Sequence, residues 1–178
     1  MKRCFVALDL PREVINEMRR VQELIKKQNF FTGKFTEPEN LHLTVKFLGE
    51  IDNEKINQVR RMLKEIKLSS FDSELAEVGV FSKSFVKIIW ISLKGAEELQ
   101  KEIDDKLKDL FEPEKRFMSH ITIARVKRVK KKKELLDYID GMSVKKIKFL
   151  VEKFFLKESE LFPEGPVYKD IKEYELEK

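Results

Sequence analysis

The sequence predicts an α+β fold that is bilobal and pseudo-two-fold, with two duplicated strand-helix-strand-helix halves, antiparallel sheets lining a central cleft, and helices outside. Three observations predict it. Stretches of strict apolar/polar alternation are followed by stretches whose apolar residues recur at three- and four-residue spacing. That order occurs twice, from Arg3 to His42 and from Val86 to His120. Each of the chain's two histidines lies in the second strand of its half.

The first strand is the apolar run Arg3 to Leu10, and Pro11 stands where a helix accepts proline at its start. The helix that follows carries Val14, Ile15, Met18, Val21 and Ile25 on one face. Gly33 and Pro38 break the pattern before the strand Leu41 to Phe47. Alternation there puts Leu41, Leu43, Val45 and Phe47 on the core face, and His42, Thr44 and Lys46 on the other. Asp52, a good N-cap residue, opens a helix that turns Ile56, Val59, Leu63 and Ile66 inward. Phe71 to Phe81 and Val86 to Leu93 read as strands joined by the polar turn Ser82-Lys83-Ser84. Beyond Gly95 come a helix with Leu99, Ile103, Leu107 and Leu110 inward, a break at Pro113, and the strand His120 to Ala124. A short helix around Glu134 to Ile139 ends near Gly141, and strand-like stretches follow at Val144 to Lys157 and Val167 to Leu176.

Composition bounds the function. The 178 residues suit one domain of two intimately packed lobes. No run of twenty apolar residues is present, and Asp9 interrupts the N-terminal apolar stretch where a signal peptide would continue, so a cytoplasmic protein with no membrane partner is expected. Cys4 is the only cysteine, which leaves no internal disulfide and no CxxC metal pattern. Charged residues make up 39%, mostly Lys and Glu, which resembles the surface of a protein from a hot environment. The net charge of +5 favours a polyanionic partner over an acidic one.

The chemistry lies in the histidines. Only four threonines occur, yet Thr44 and Thr122 each stand two residues after a histidine, a coincidence with a chance on the order of one in two thousand. A lone strand histidine is most simply a core residue satisfied by a backbone carbonyl; two matched pairs in matched contexts favour a site. Residues i and i+2 of a strand project from one face roughly 7 Å apart, so each pair offers an imidazole beside a hydroxyl. Two imidazoles across a cleft can remove a proton from an attacking oxygen and deliver one to a leaving oxygen near neutral pH. Threonine hydroxyls can meanwhile hold non-bridging phosphoryl oxygens. This equips the chain for in-line displacement at a phosphodiester without a metal or other cofactor.

His42-Leu43-Thr44-Val45 and His120-Ile121-Thr122-Ile123 resemble the two HxTx motifs of the 2H phosphoesterase superfamily. The flanking text is similar to its RNA 2',3'-cyclic phosphodiesterase family, also called 2'-5' RNA ligases. That text includes Arg3-Cys4-Phe5-Val6-Ala7-Leu8 with Pro11, Glu39-Asn40, Phe47-Leu48-Gly49-Glu50, Ala124-Arg125, and Ser159, Leu161, Gly165-Pro166 and Tyr168 in the tail. The resemblance covers essentially the whole chain. It implies hydrolysis of an RNA 2',3'-cyclic phosphate end to a 2'-phosphomonoester, with His42 as proton donor and His120 as acceptor. It also implies ATP-independent 2'-5' ligation as the reverse-type activity, and tRNA halves are among the candidate RNAs.

Three residues are candidate substrate contacts. Arg125 matches a family arginine placed near the phosphate, but strict alternation puts it opposite His120; either the strand ends or bulges before it, or Arg125 is structural. Lys46 shares the face of His42 and either touches phosphate or sits solvated at the rim. Lys130 lies in the run Lys127-Arg128-Val129-Lys130-Lys131-Lys132-Lys133, which reads either as a solvated turn and helix start or as a track for RNA phosphates. Phe47 and Phe117 stand near the motifs and could stack a base, although with 14 phenylalanines in the chain core packing is the simpler role.

The rival functions are a cyclic phosphodiesterase for small cyclic nucleotides or tRNA-splicing products, and a non-catalytic RNA-binding protein. Pure binding would need neither histidine-threonine pair. A metalloenzyme is disfavoured, since two histidines with no acid in either motif do not supply the three ligands of a catalytic zinc site. The expected state is a monomer.

Overall fold

A computed structural model describes all 178 residues. The chain runs β1 (Lys2–Asp9), α1 (Arg12–Gln28), β2 (Phe31–Phe35), a 3-10 turn (Pro38–Asn40), β3 (His42–Ile51), α2 (Asn53–Leu63), β4 (Phe71–Val80) and β5 (Ile88–Lys94). It continues with α3 (Glu97–Leu107), β6 (His120–Val129), α4 (Lys132–Asp140), β7 (Lys148–Val151), β8 (Lys153–Phe162) and β9 (Gly165–Glu175). No helix is long and apolar enough to cross a membrane.

Local chemistry explains the helix ends. Asp52 caps α2 by accepting a hydrogen bond from the Lys55 backbone N–H at 2.8 Å. Asn29 ends α1 in the left-handed conformation, with φ of 53°. Gly95 precedes α3 at φ of 101°, and a side chain there would collide with the carbonyl of Asp72.

Two antiparallel sheets form, ordered β3-β1-β8-β9 and β2-β6-β5-β4-β7. The duplication is visible in them: β1 pairs with the His42 strand as β5 pairs with the His120 strand. The helices, however, are exchanged between halves. The first-half helix α1 packs on β6, while α3 of the second half packs on β3 and against α2. The physical reason is β2, which joins the edge of the second sheet beside β6 and commits the α1–β2 segment to that side. A single cluster of 38 buried residues, from Cys4 to Leu176, runs through both halves. Cys4 lies within it, its thiol pushed up to about 11 by burial.

Several elements differ from the sequence reading. β2 was not expected, because Phe31-Thr32-Gly33-Lys34-Phe35 is a short segment interrupted by glycine. Gly33 is there because a side chain would strike the Arg125 carbonyl on the neighbouring strand. The β6 strand extends through Val129 rather than ending at Ala124, and the expected stretch Val144 to Lys157 divides into β7 and β8.

Candidate active site

β3 and β6 lie against each other, and a cleft of about 510 Å³ opens over them. His42, Thr44, His120 and Thr122 all line it, as do Phe47, Arg125, Arg3 and, from the tail, Ser159, Leu161, Gly165, Pro166 and Tyr168.

Matching bulges shape the two strands. Along β3 the partners step from Val6–Lys46 to Ala7–Thr44, leaving Val45 as the extra residue. Along β6 they step from Ile89–Ala124 to Trp90–Thr122, leaving Ile123 extra. An extra residue inverts the phase of alternation beyond it. Val45 and Lys46 are therefore both buried, as are Ile123 and Ala124. The fifth residue after each histidine, Phe47 or Arg125, swings onto the cleft side. The bulge before Arg125 is the first of the alternatives the sequence left open. Phe47, expected in the core, is 52% exposed in the cleft with the Arg3 guanidinium 5.0 Å from its ring centroid. Phe117 is half-buried.

Two of the expected substrate contacts are elsewhere. The phase inversion turns Lys46 away from the cleft into the β3–α3 interface, where it is 5% exposed, pairs with Asp104 and donates to the Glu112 carbonyl at 3.0 Å. Lys130 lies beyond the far end of β6, roughly 30 Å along the strand from His120 at about 3.3 Å per residue, and donates to Asn29 Oδ1 at 2.7 Å. The strand runs five residues further than expected, which carries the basic run away from the histidine.

Both imidazoles are held alike. His42 Nδ1 lies 2.8 Å from the carbonyl of Asn40, and His120 Nδ1 lies 2.7 Å from that of Met118, each two residues upstream. A carbonyl only accepts, so Nδ1 carries the proton and Nε2 is left for chemistry. His42 Nε2 accepts from the Thr44 hydroxyl at 3.0 Å. Backbone carbonyls have no side-chain signature, so these anchors were invisible in the sequence. So was Gln22, whose buried amide donates at 2.8 Å to the carbonyl of Ile123, the bulged residue, and to that of Thr36.

The surroundings of the two histidines differ. Tyr168 meets His42 edge-on at 4.9 Å and Phe5 lies tilted beside it at 5.0 Å, while Phe81 meets His120 edge-on at 4.8 Å. Burial depresses the His42 pKa below its ordinary 6.5. The Asn40 carbonyl works against that, and the Lys157 and Arg125 charges reinforce it. Lys157 is nearly buried between Asp9 at 2.9 Å and Asp170 at 2.6 Å. Burial raises the Tyr168 pKa, which keeps its phenol protonated.

The depression has a readable sign. A histidine held neutral contributes stability that is present above its unfolded value and lost as pH falls through the folded one. In an NMR titration of the free protein the His42 ring should have its midpoint below 6.5, and inorganic phosphate should move it upward by supplying a counter-charge. A midpoint above 6.5 without phosphate would contradict the burial of this ring.

The model of the LigT-like phosphoesterase family matches residues 8–90 and 92–168. The chain belongs to that family. Among relatives of this phosphoesterase, the RNA 2',3'-cyclic phosphodiesterase of Methanocaldococcus jannaschii is 37% identical, over 97% of this chain and 99% of that protein. The protein of the same description from Archaeoglobus fulgidus is 35% identical over the same shares. A crystal structure of a Thermus thermophilus protein superposes with a TM-score of 0.82 at 25% identity, covering 97% of each chain. Escherichia coli LigT complexed with 3'-AMP shares the fold at a TM-score of 0.72, 22% identity and 99% of each chain.

Proposed function

We propose that this phosphoesterase opens 2',3'-cyclic phosphate ends of RNA to 2'-phosphomonoesters by metal-independent acid–base catalysis divided between His42 and His120. The observation that carries the proposal is the pairing of two histidine-threonine motifs in one cleft, each imidazole anchored through Nδ1 so that Nε2, which at His42 also accepts from the Thr44 hydroxyl, is the nitrogen left to exchange a proton. The names borne by the archaeal relatives support the substrate class.

In the hydrolytic step, water attacks phosphorus while His120 Nε2 takes its proton. The bond from phosphorus to the 3' oxygen breaks, and His42 gives that oxygen the proton from its Nε2. The phosphate remains on the 2' oxygen. The Thr44 and Thr122 hydroxyls and the Arg125 guanidinium take up charge on the non-bridging oxygens. With an RNA 5'-hydroxyl in place of water, the same transfers give a 2'-5' linkage. The division of roles follows the family resemblance; the depressed pKa of His42 does not by itself favour the donor role. The protein alone disfavours the imidazolium, so His42 becomes a competent donor when the phosphate anion arrives to stabilise it. The protein so described works in the cytoplasm as a monomer, one domain with its site between two lobes.

The test is product analysis on an RNA oligomer ending in a 2',3'-cyclic phosphate, in the presence of excess EDTA. A 2'-phosphate end, identified by phosphorus NMR, is expected. A 3'-phosphate would overturn the regiochemistry, and activity lost to EDTA but restored by a divalent ion would overturn the metal-free mechanism.

A further inference from the structure

The turn between β4 and β5 is unusual for a surface loop. Phe81 is 50% exposed and Phe85 is 66% exposed, although neither lines the cleft. Isolated exposed aromatics are common, but these two alternate with cations in the order Phe81, Lys83, Phe85, Lys87. Lys87 Nζ sits 4.6 Å from the Phe85 ring centroid. The turn is braced from beneath, since Lys132 donates to the Ser84 carbonyl at 2.8 Å and Lys83 pairs with Asp140 at 2.6 Å. It is also continuous with the catalytic cleft, because Phe81 lies edge-on to the His120 ring. Met118, whose carbonyl anchors that ring, adds an apolar side chain 39% exposed.

We propose that this turn, Phe81 to Lys87, is a docking track for single-stranded RNA leaving the cleft on the His120 side. The proposal rests on the cleft being an RNA-end site. Aromatic faces accept any base by stacking, and Lys87, which has no acidic partner and stands beside the Phe85 ring, neutralises a neighbouring phosphate. The alternation therefore suits an unpaired polynucleotide chain better than an apolar partner, which the lysines would repel. The basic run that begins at Lys127 contributes Lys132 to the bracing of the turn.

Phe85 and Lys87 lie outside the catalytic machinery, so the test uses the double variant Phe85→Ala, Lys87→Gln in the full chain. The first measurement is fluorescence anisotropy of a labelled single-stranded RNA ten-mer with a plain 3'-hydroxyl end, which needs no turnover. The variant should bind about tenfold more weakly, as loss of one stacked base implies. The slope of log K against log salt should also shrink by about 0.7. The second measurement is turnover of a 2',3'-cyclic mononucleotide, which should be unchanged because that substrate is too small to reach Phe85. Unchanged RNA affinity overturns the track, as does an equal loss on the mononucleotide, which would mark the turn as a support for His120. Weakened RNA binding in a protein that turns over neither substrate would uphold the track while the assigned reaction fails.

Discussion

Replacing His120 with alanine should lower turnover of a cyclic-phosphate RNA end by about 10²- to 10⁴-fold, the usual worth of a positioned acid or base. Replacing His42 should do the same. The fold should tolerate both changes, because each ring is only partly buried and neither belongs to the core cluster. His120→Ala gives up one hydrogen bond to a carbonyl that solvent can satisfy and an edge contact with the half-exposed Phe81, whereas His42→Ala removes a ring packed against both Phe5 and Tyr168. His120→Ala is therefore the cleaner test, and a circular dichroism spectrum with an unchanged unfolding midpoint should accompany it. Because the two imidazoles serve one transition state, the double variant should be little worse than either single one. Near-normal turnover in a well-folded His120→Ala protein would sink the two-histidine mechanism.

The placement of these two rings was legible in the sequence for a definite reason. Alternation fixes sidedness over short distances, and His42–Thr44 and His120–Thr122 each span only two residues, before either bulge. Beyond the bulges the same rule misplaces side chains. Lys46 was expected beside His42 and lies buried against α3; Phe47 was expected in the core and lines the cleft. A bulge leaves no residue-type signature here, since Val45 and Ile123 are ordinary strand residues. The exchange of α1 and α3 was hidden for a related reason: the apolar face of a helix shows that it packs, but not on which sheet. Ser159, Gly165 and Tyr168 were reached through family resemblance alone. The structure supplies their reason, since β8 and β9 form a hairpin that lines the cleft and sets Tyr168 against His42, tied down by Asn40 Nδ2 donating to the Pro166 carbonyl at 3.0 Å.

Replacing Asp104 with alanine should destabilise the protein by about 3–5 kcal/mol, through the charge it leaves behind. Its side chain is 9% exposed and that of its partner Lys46 is 4% exposed. One carboxylate oxygen pairs with Lys46; the other accepts from Gln100 Nε2 at 2.5 Å and from the Glu114 backbone N–H at 2.8 Å. Without Asp104, the ammonium keeps only the Glu112 carbonyl, and the Glu114 N–H loses its acceptor. For a chain of this size the loss corresponds to a fall in melting temperature of roughly 6–20 °C. Removing the charge as well, in Lys46→Met with Asp104→Leu, should recover much of it, because an apolar pair of similar volume carries no desolvation cost. A single-variant loss below about 1 kcal/mol would show that water reaches the pair as it does a surface bridge. The pair also spans the two halves of the site. Lys46 stands four residues after His42, and the backbone it holds at Glu112 and Glu114 leads into Met118, whose carbonyl anchors His120. Protease cleavage between Glu112 and Ser119 should accordingly quicken in Asp104→Ala before the global unfolding transition is reached.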